Sequence, residues 1–459
     1  MRVFIYKRNK DNLFTESIPL DGEFFRCPDP VPYGEQFDGS FQPVKEGDSW
    51  GQAWDGAWFH LTGMIPHEWA GKPVALWLDL NGEILIFDDN GIPVYSLTDG
   101  SVFHAGFHKN IFLLTAAAQG GEKLNFRLEA VVNSILGVMR TWDTPLNSPH
   151  PYGNYAGIAN RMRIGVFNLD LWHLLLDFEV MLGIIAALPE GNCRAVRIVA
   201  ALNDAVNAYA ENPANARTVR SVLAPILALP AAASAMTVTA VGHAHIDTAW
   251  LWRIREGIRK CGRTFASQIH NIEKYPGYVF GASSPQHYAF VKEYYPELYK
   301  KIKQRVKDGS WELQGGMWVE ADCNLIDGES MIRQFVHGKN FFMDEFGVDV
   351  KNLWLPDVFG YSAALPQICR KSGCDFFLST KISCNQFNRF PYVTFNWQGL
   401  DGSQVISHFP PENTYNANLN PAELIPAQDR LVETPYLNEF ISLFGIGDGG
   451  GGLRGMPLS

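Results

Sequence analysis

Two histidines and an aspartate alternate along one short segment of the chain, Gly242-His243-Ala244-His245-Ile246-Asp247. On an extended segment alternate side chains share a face, so the imidazoles and the carboxylate can point one way while Ile246 points into the core. Nitrogen and oxygen ligands of this kind suit Zn²⁺, and Co²⁺ accepts the same set. The pattern is equally typical of a strand end whose histidines are hydrogen-bonded internally, so a metal site and a structural role both stay open.

A third carboxylate, Asp357, follows a short apolar segment in Leu353-Trp354-Leu355-Pro356-Asp357. One role for this residue is to cap the next helix. In the other role it lies at the same sheet edge as His245 and Asp247, where binding to a metal keeps a carboxylate ionised and nucleophilic. Further polar residues follow other predicted strands in the same way: Gln286, His287, Glu320, Asp322, Lys381 and His408.

These side chains need a scaffold of parallel strands, and the C-terminal half of the chain has the pattern of one. Between residues 235 and 459, short apolar segments such as Val238–Val241 and Trp311–Leu313 alternate with helical patterns. This alternation is typical of a parallel α/β sheet or barrel. Because chemistry collects beyond the carboxyl ends of strands in such folds, we expect the polar residues to meet there.

The preceding residues divide into three parts by their periodicity. Apolar and polar residues alternate with period two, as in 124–130, which predicts an antiparallel β-sandwich over residues 1–140. Prolines, glycines and asparagines then predict a linker over 141–165. Apolar residues of helical period predict a helical segment over 166–234. The chain is therefore expected to be multidomain.

Composition and charge exclude several classes of protein. A chain of 459 residues with 46% hydrophobic residues supports about three domains with real cores. Its net charge of −10 provides no broad basic face for a nucleic acid or an anionic membrane. The cysteines are scattered, and the N-terminal residues lack the apolar core of a signal peptide. We therefore expect a soluble cytoplasmic protein with no membrane span, and a homo-oligomer stays open.

Four segments carry a resemblance in the order in which they occur. They are His245-Ile246-Asp247-Thr248-Ala249-Trp250, Gly315-Gly316-Met317-Trp318-Val319-Glu320, Leu355-Pro356-Asp357-Val358-Phe359-Gly360 and Gly445-Ile446-Gly447-Asp448-Gly449-Gly450-Gly451-Gly452. Together they resemble the class II α-mannosidases, glycoside hydrolase family 38, of the cytosolic type. The resemblance implies a zinc-dependent retaining exo-α-mannosidase that acts on α-mannoside oligosaccharides. It also implies a (β/α)7 barrel preceded by a β domain and helices.

The resemblance implies a metal site and a nucleophile at particular residues. His245 and Asp247 would bind one zinc ion per chain, with cobalt as the alternative ion. Asp357 would be both a metal ligand and the catalytic nucleophile, and His243 would lie behind the ligands. The ion, bound to vicinal hydroxyls of mannose, would hold the ring distorted and orient it onto Asp357.

Residues that contact the sugar follow from the same resemblance. Trp250 would form an aromatic floor beneath the ring, and Lys381 would lie near the sugar. Glu320 or Asp322 would reach mannose hydroxyls. Without the resemblance, Trp250 would be interpreted as a core aromatic residue and Lys381 as a surface lysine.

The motifs leave the proton donor unassigned. A retaining glycosidase needs a second carboxyl group about 5–5.5 Å from the nucleophile. The resemblance places this acid in the segment after His408, which contains Glu412 and Asn416, and the amide of Asn416 cannot donate as an acid. Asp448 in the glycine-rich segment is another candidate, and a donor outside this chain is the third.

The resemblance also implies a longer protein. In the family, helical and β domains follow the glycine-rich segment and supply a further zinc ligand, a histidine. We therefore expect the chain ending at Ser459 to be a truncated form with an incomplete barrel and weak or no activity. Two other functions stay open: a metal-dependent polysaccharide deacetylase, which would release acetate, and a non-catalytic carbohydrate-binding fragment, which would bind sugar without turnover.

Overall fold

The computed structural model describes residues 12–27, 29, 31–35, 39–98, 108–133 and 155–451. Parts of the predicted domains, residues 1–11, 141–154 and 452–459, lie outside the described residues. Among the helices that are described, none has the length and apolarity needed to cross a bilayer.

The N-terminal part consists of antiparallel strands. They are β1 Phe14–Pro19, β2 Asp21–Arg26, β3 Gln42–Val44, β4 Ser49–Gln52, β5 Gly56–Met64, β6 Val74–Asp79, β7 Glu83–Phe87, β8 Pro93–Thr98, β9 Ile111–Thr115, β10 Lys123–Val131, β11 Ala156–Ile158 and β12 Arg161–Phe167. One sheet has the order β1-β12-β6-β9, another has the order β3-β2-β5-β10-β7-β8, and β11 pairs with β4. Side chains of both larger sheets share one apolar core, which confirms the predicted sandwich.

Alternation along β10 explains how this part is built. Phe126, Leu128 and Ala130 belong to the sandwich core, as the period-two pattern predicts. On the opposite face of the same sheet, Glu129 is also buried, with 6% of its surface exposed. The larger sheet is therefore covered on both faces, and its second face packs against the C-terminal part of the chain.

The structure differs from the predicted linker at its C-terminal end. Strand β12 lies within 141–165 except for its last two residues, and it pairs with both β1 and β6. Met162, Ile164 and Val166 alternate into the sandwich core. The prolines and asparagines earlier in this segment dominate its composition and obscure the alternation, so the described sandwich continues to Phe167.

Three helices follow the sandwich: α1 Leu169–Ala187, α2 Cys193–Tyr209 and α3 Ala216–Leu227. Asparagine side chains cap the first two, since Asn168 accepts a hydrogen bond from the Leu171 N–H and Asn192 accepts one from the Arg194 N–H. The apolar stripes of the helices form one core with residues of β6 and β12. The predicted helical segment is thereby confirmed.

The C-terminal part alternates strands and helices. Its strands are β13 Thr237–His243, β14 Phe280–Ala282, β15 Trp311–Leu313, β16 Asn352–Trp354, β17 Phe376–Leu378, β18 Thr394–Gln398, β19 Gln404–His408 and β20 Glu439–Phe444. Its helices are α4 Ile254–Lys274, α5 Pro285–Tyr294, α6 Pro296–Asp308, α7 Gly328–Phe346, α8 Leu365–Lys371 and α9 Pro421–Gln428. The sheets have the orders β15-β14-β13-β20 and β16-β17-β19-β18, and only the β18–β19 pairing is antiparallel.

The two sheets contact each other on two sides, from β15 to β16 and from β20 to β19. The Gly316 N–H donates to the Asn352 carbonyl at 2.9 Å, and the Ile441 N–H donates to His408 Nε2 at 3.3 Å. A cavity of about 500 Å³ is lined by side chains of both sheets, among them Val241 of β13 and Trp354 of β16. These contacts direct the carboxyl ends of seven parallel strands toward one region, while closure into a barrel stays a prediction.

Candidate active site

The first candidate ligands follow β13 directly. Beyond His243 the chain stays extended, and Ala244 and Ile246 enter the apolar core while His245 and Asp247 share the other side. His245 is buried, whereas the Asp247 side chain is 32% exposed. His243 lies apart from them, with its Nδ1 donating to the Gly281 carbonyl at 3.3 Å, and burial lowers its pKa to about 3.

Three aspartates converge on the imidazole of His245. Its Nε2 lies 3.2 Å from Asp247 Oδ1 and 3.4 Å from Asp357 Oδ2. Asp448 Oδ1 accepts a hydrogen bond from the Asp247 N–H at 3.1 Å, and ligand atoms of His245, Asp247 and Asp448 all lie within 4.8 Å of one another. The predicted convergence of His245, Asp247 and Asp357 is therefore present in the fold. Asp448, considered above only as a proton donor, joins the three.

Glu320 lies behind the imidazole rather than in front of it. Its Oε2 is 2.9 Å from His245 Nδ1, and its Oε1 accepts a hydrogen bond from Ser283 Oγ at 2.7 Å. A carboxylate on Nδ1 fixes the ring so that Nε2 faces Asp247 and Asp357, which is how metal-bound histidines are commonly oriented. The structure thus places Glu320 against Nδ1 of His245, and the predicted contact of Glu320 with mannose stays a prediction.

Two groups hold the carboxylate of Asp357. Lys381 Nζ lies 2.5 Å from Oδ1, and the Tyr415 hydroxyl donates to Oδ2 at 2.8 Å. Lys381 opens a short 3-10 turn after β17, and Tyr415 lies in the loop after β19. Burial and the charge of Asp357 raise the pKa of Tyr415 well above its usual range, so the phenol stays a neutral donor. Tyr415 was not predicted as a site residue, although it lies in the segment after His408 to which the resemblance assigns the acid.

Trp250 and Asp322, the other residues predicted to contact the sugar, lie outside the group of carboxylates around His245 or at its edge. Trp250 lies in the loop between β13 and α4 with 49% of its surface exposed, and its ring meets Trp252 edge to face at 5.7 Å. Asp322 is engaged by its own loop, where its Oδ1 accepts hydrogen bonds from the N–H groups of Asn324 and Leu325. Trp250 is thus free to stack on a ligand, whereas the carboxylate of Asp322 serves a turn.

The candidate proton donors have different environments. Burial raises the pKa of Glu412, whose charged neighbours are Glu423 and Arg430 rather than His245. Asn416 Oδ1 accepts a hydrogen bond from the Gly447 N–H at 3.0 Å and so supports the glycine-rich loop. Burial raises the pKa of Asp448 to about 6, with His245 opposing and Asp247 adding to the increase.

The cluster has more negative than positive charge. Asp247, Asp357, Asp448 and Glu320 surround His245, and Lys381 is the lysine that contacts one of these carboxylates directly. Burial opposes protonation of His245, yet Glu320, Asp247 and Asp448 hold its pKa well above the usual value. One imidazole and several carboxylates with unbalanced negative charge fit a divalent cation.

Comparison with known proteins agrees with the geometry. Residues 235–456 match the glycosyl hydrolases family 38 N-terminal domain, and residues 18–156 match the α-mannosidase jelly roll domain. The chain is 36% identical over 449 residues to alpha-mannosidase 2C1 of Homo sapiens, covering 96% of this chain and 42% of that protein. It is 34% identical to alpha-mannosidase G of Dictyostelium discoideum, covering 92% of this chain and 38% of that protein.

A solved structure of an α-mannosidase from Enterococcus faecalis aligns with 48% of this chain and 26% of that chain, at 19% identity and a TM-score of 0.40. The chain spans less than half the length of the curated relatives described above. Within that span it contains both the jelly roll domain and the N-terminal domain of the family. The chain belongs to glycoside hydrolase family 38.

Proposed function

We propose that the protein hydrolyses terminal α-mannosides with retention of configuration and depends on one divalent ion, Zn²⁺ or Co²⁺. His245, Asp247, Asp357 and Asp448 are its ligands within this chain, and Asp357 is also the nucleophile. The observation that carries the proposal is the position of Asp357, whose Oδ2 lies 3.4 Å from His245 Nε2 and whose two oxygens contact Lys381 and Tyr415.

The chain's own residues prepare Asp357 for attack. Lys381 and Tyr415 engage opposite oxygens of the carboxylate, so they fix its rotation and aim it at the anomeric carbon. Attack releases the aglycone and forms a glycosyl ester on Asp357, which water then hydrolyses. Trp250 offers an exposed indole on which the apolar face of a sugar can stack.

A divalent ion in this cluster would bind the vicinal hydroxyls of mannose and hold the ring against the nucleophile. Glu320 fixes the imidazole of His245 for this purpose through Nδ1. As a ligand Asp448 would be ionised and would not serve as the acid. The proton donor is then Glu412, which burial keeps more readily protonated, or a group outside this chain.

Asp357→Asn tests the assignment, with Asp322→Asn as its matched control. Both changes replace a carboxylate by an amide after a parallel strand of the same part of the fold. In the full-length protein, we expect Asp357→Asn to lower kcat on an aryl α-mannoside by about three orders of magnitude or more with an unchanged fold. Asp322→Asn should leave kcat within about threefold, because Asp322 serves its own turn.

Two further measurements identify the mechanism. A fluorinated mannosyl substrate should label Asp357 covalently, and NMR should show the α-anomer as the first product. Labelling of another carboxylate, or inversion at the anomeric carbon, would refute the assignment of Asp357. Release of acetate from an acetylated sugar without release of mannose would instead favour the deacetylase.

The cytoplasmic location of the protein stays a prediction.

A further inference from the structure

Buried ion pairs join the β-sandwich to the C-terminal part of the chain. Glu83, on the second face of the larger sheet, is fully buried, and its Oε2 lies 3.0 Å from Lys260 Nζ and 2.9 Å from Arg263 Nη2 on α4. A second pair joins Glu129 of β10 to Arg259 at 2.8 Å. Buried charges are tolerated only when they are paired, so these contacts fix α4 against the sandwich.

One of these pairs continues into the glycine-rich loop. Lys260 Nζ donates to the carbonyl oxygen of Asp448 at 2.6 Å. A Cβ atom on Gly449 would lie 2.7 Å from Glu83 Oε1, so the loop backbone lies directly on the carboxylate of Glu83. The Glu129–Arg259 pair has no such contact with the loop among the described residues.

The loop presents Asp448 in a conformation that needs support. Asp448 has φ +54°, in the left-handed region that residues other than glycine rarely adopt. Its N–H donates to the His245 carbonyl at 2.6 Å, and its Oδ1 accepts from the Asp247 N–H at 3.1 Å. Hydrogen bonds to His245 and Asp247 therefore fix one side of Asp448, and Lys260 fixes the Asp448 carbonyl from the other side.

We propose that Glu83 is a positioning residue for Asp448 and acts through Lys260. A side chain of the β-sandwich thereby supports the metal site in the C-terminal part. The inference rests on the proposed function, because it takes Asp448 as a metal ligand. Neutralising Glu83 removes the carboxylate that pairs with Lys260 on the side away from the Asp448 carbonyl, whereas Arg263 retains its bond to Glu256. Lys260 then turns away from the Asp448 carbonyl, and the loop that carries the ligand relaxes.

Glu83→Gln and Glu129→Gln form a matched pair for the test. Each removes the charge of one buried glutamate that pairs a sandwich strand with α4. In metal-free protein titrated with Co²⁺, we expect Glu83→Gln to weaken binding about 10- to 100-fold and to change the visible cobalt spectrum. Glu129→Gln should lower the melting temperature similarly while leaving cobalt affinity within about twofold. Equal effects of the two variants on cobalt affinity, or no effect of Glu83→Gln, would overturn the positioning role.

A second pair of variants covers the case in which Glu83→Gln does not fold. Gly449→Ala brings a methyl group onto Glu83 Oε1, whereas Gly402→Ala has a similar positive φ of +85° with no atom within 4 Å of its Cβ. Weaker cobalt binding only in Gly449→Ala supports the proposal, and equal binding in both refutes it. Wild-type protein that binds no cobalt refutes the metal site itself, whereas normal binding by all variants refutes only the role of Glu83.

Discussion

Replacing Asp448 by asparagine should stabilise the metal-free protein while removing its affinity for metal. Asp448 has 6% of its surface exposed, and burial raises the pKa of its carboxyl to about 6. An asparagine of the same shape still accepts the hydrogen bond from the Asp247 N–H. The substitution therefore removes a buried charge and keeps the contact that positions the loop.

The size and sign of the effect follow from the two pKa values. The pKa of Asp448 is about 6 in the folded protein against 3.8 for a free side chain. Because the folded state holds the proton more tightly, the stabilising effect of Asp448 is complete below about pH 4 and is lost as the pH rises through 6. Asparagine avoids this loss, so the gain should be about 2 kcal/mol at pH 5 and about 3 kcal/mol at pH 8.

Native-state hydrogen exchange at β13 and β20, corrected for intrinsic exchange, measures this local free energy in the presence of a chelator. Added metal should then make the wild type more stable than Asp448→Asn. At a free ion concentration of 100 Kd the wild type gains about 2.7 kcal/mol, whereas Asp448→Asn gains far less. If the stability gained by Asp448→Asn instead decreases as the pH rises, the raised pKa of the buried Asp448 carboxyl is refuted. Equal stabilisation of both proteins by metal would refute Asp448 as a ligand.

Three further substitutions have expected outcomes. Tyr415→Phe should lower kcat about tenfold with little change in KM, because it removes the hydrogen bond to Asp357 Oδ2 and leaves the ring in place. Trp250→Ala should raise KM for mannosides without lowering the melting temperature, because its ring is 49% exposed. Lys109→Met should raise stability most below pH 7 and progressively less toward pH 10, as measured by thermal unfolding across pH. Burial lowers the pKa of Lys109 from 10.5 to about 7, so its cost to folding is full below pH 7 and falls between pH 7 and 10.5, where folding must release its proton.

Strand ends could be located from the sequence because their pattern is local. The alternation through His245 and Asp247 and the apolar segment before Asp357 are visible without knowing which strands pair. The predicted strand Trp311–Leu313 has the same bounds in the structure. Residues 285–307 have a single helical pattern in the sequence, but the structure contains two helices there, because Pro296 begins a new helix where it cannot continue the first.

The partners of these residues could not be predicted, because contacts across a sheet depend on topology. Strand β20 was not predicted, yet it pairs with β13 over six residues and delivers Asp448 beside His245. Tyr415 reaches Asp357 from a loop 58 residues away along the chain. Glu83 lies within the predicted sandwich, and only the packing of β7 on α4 shows its contacts with Lys260 and the glycine-rich loop.

The two lysines near the cluster act on different atoms, and this difference preserves the capacity to bind a cation. Lys381 contacts a carboxylate oxygen of Asp357, so it both orients the nucleophile and offsets part of its charge. Lys260 donates to the backbone carbonyl of Asp448, and its charge is paired with Glu83 on the other side. It therefore supports the loop without occupying the oxygens that a metal would use. Had Lys260 bound the Asp448 carboxylate directly, the same buried charge would have competed with the ion.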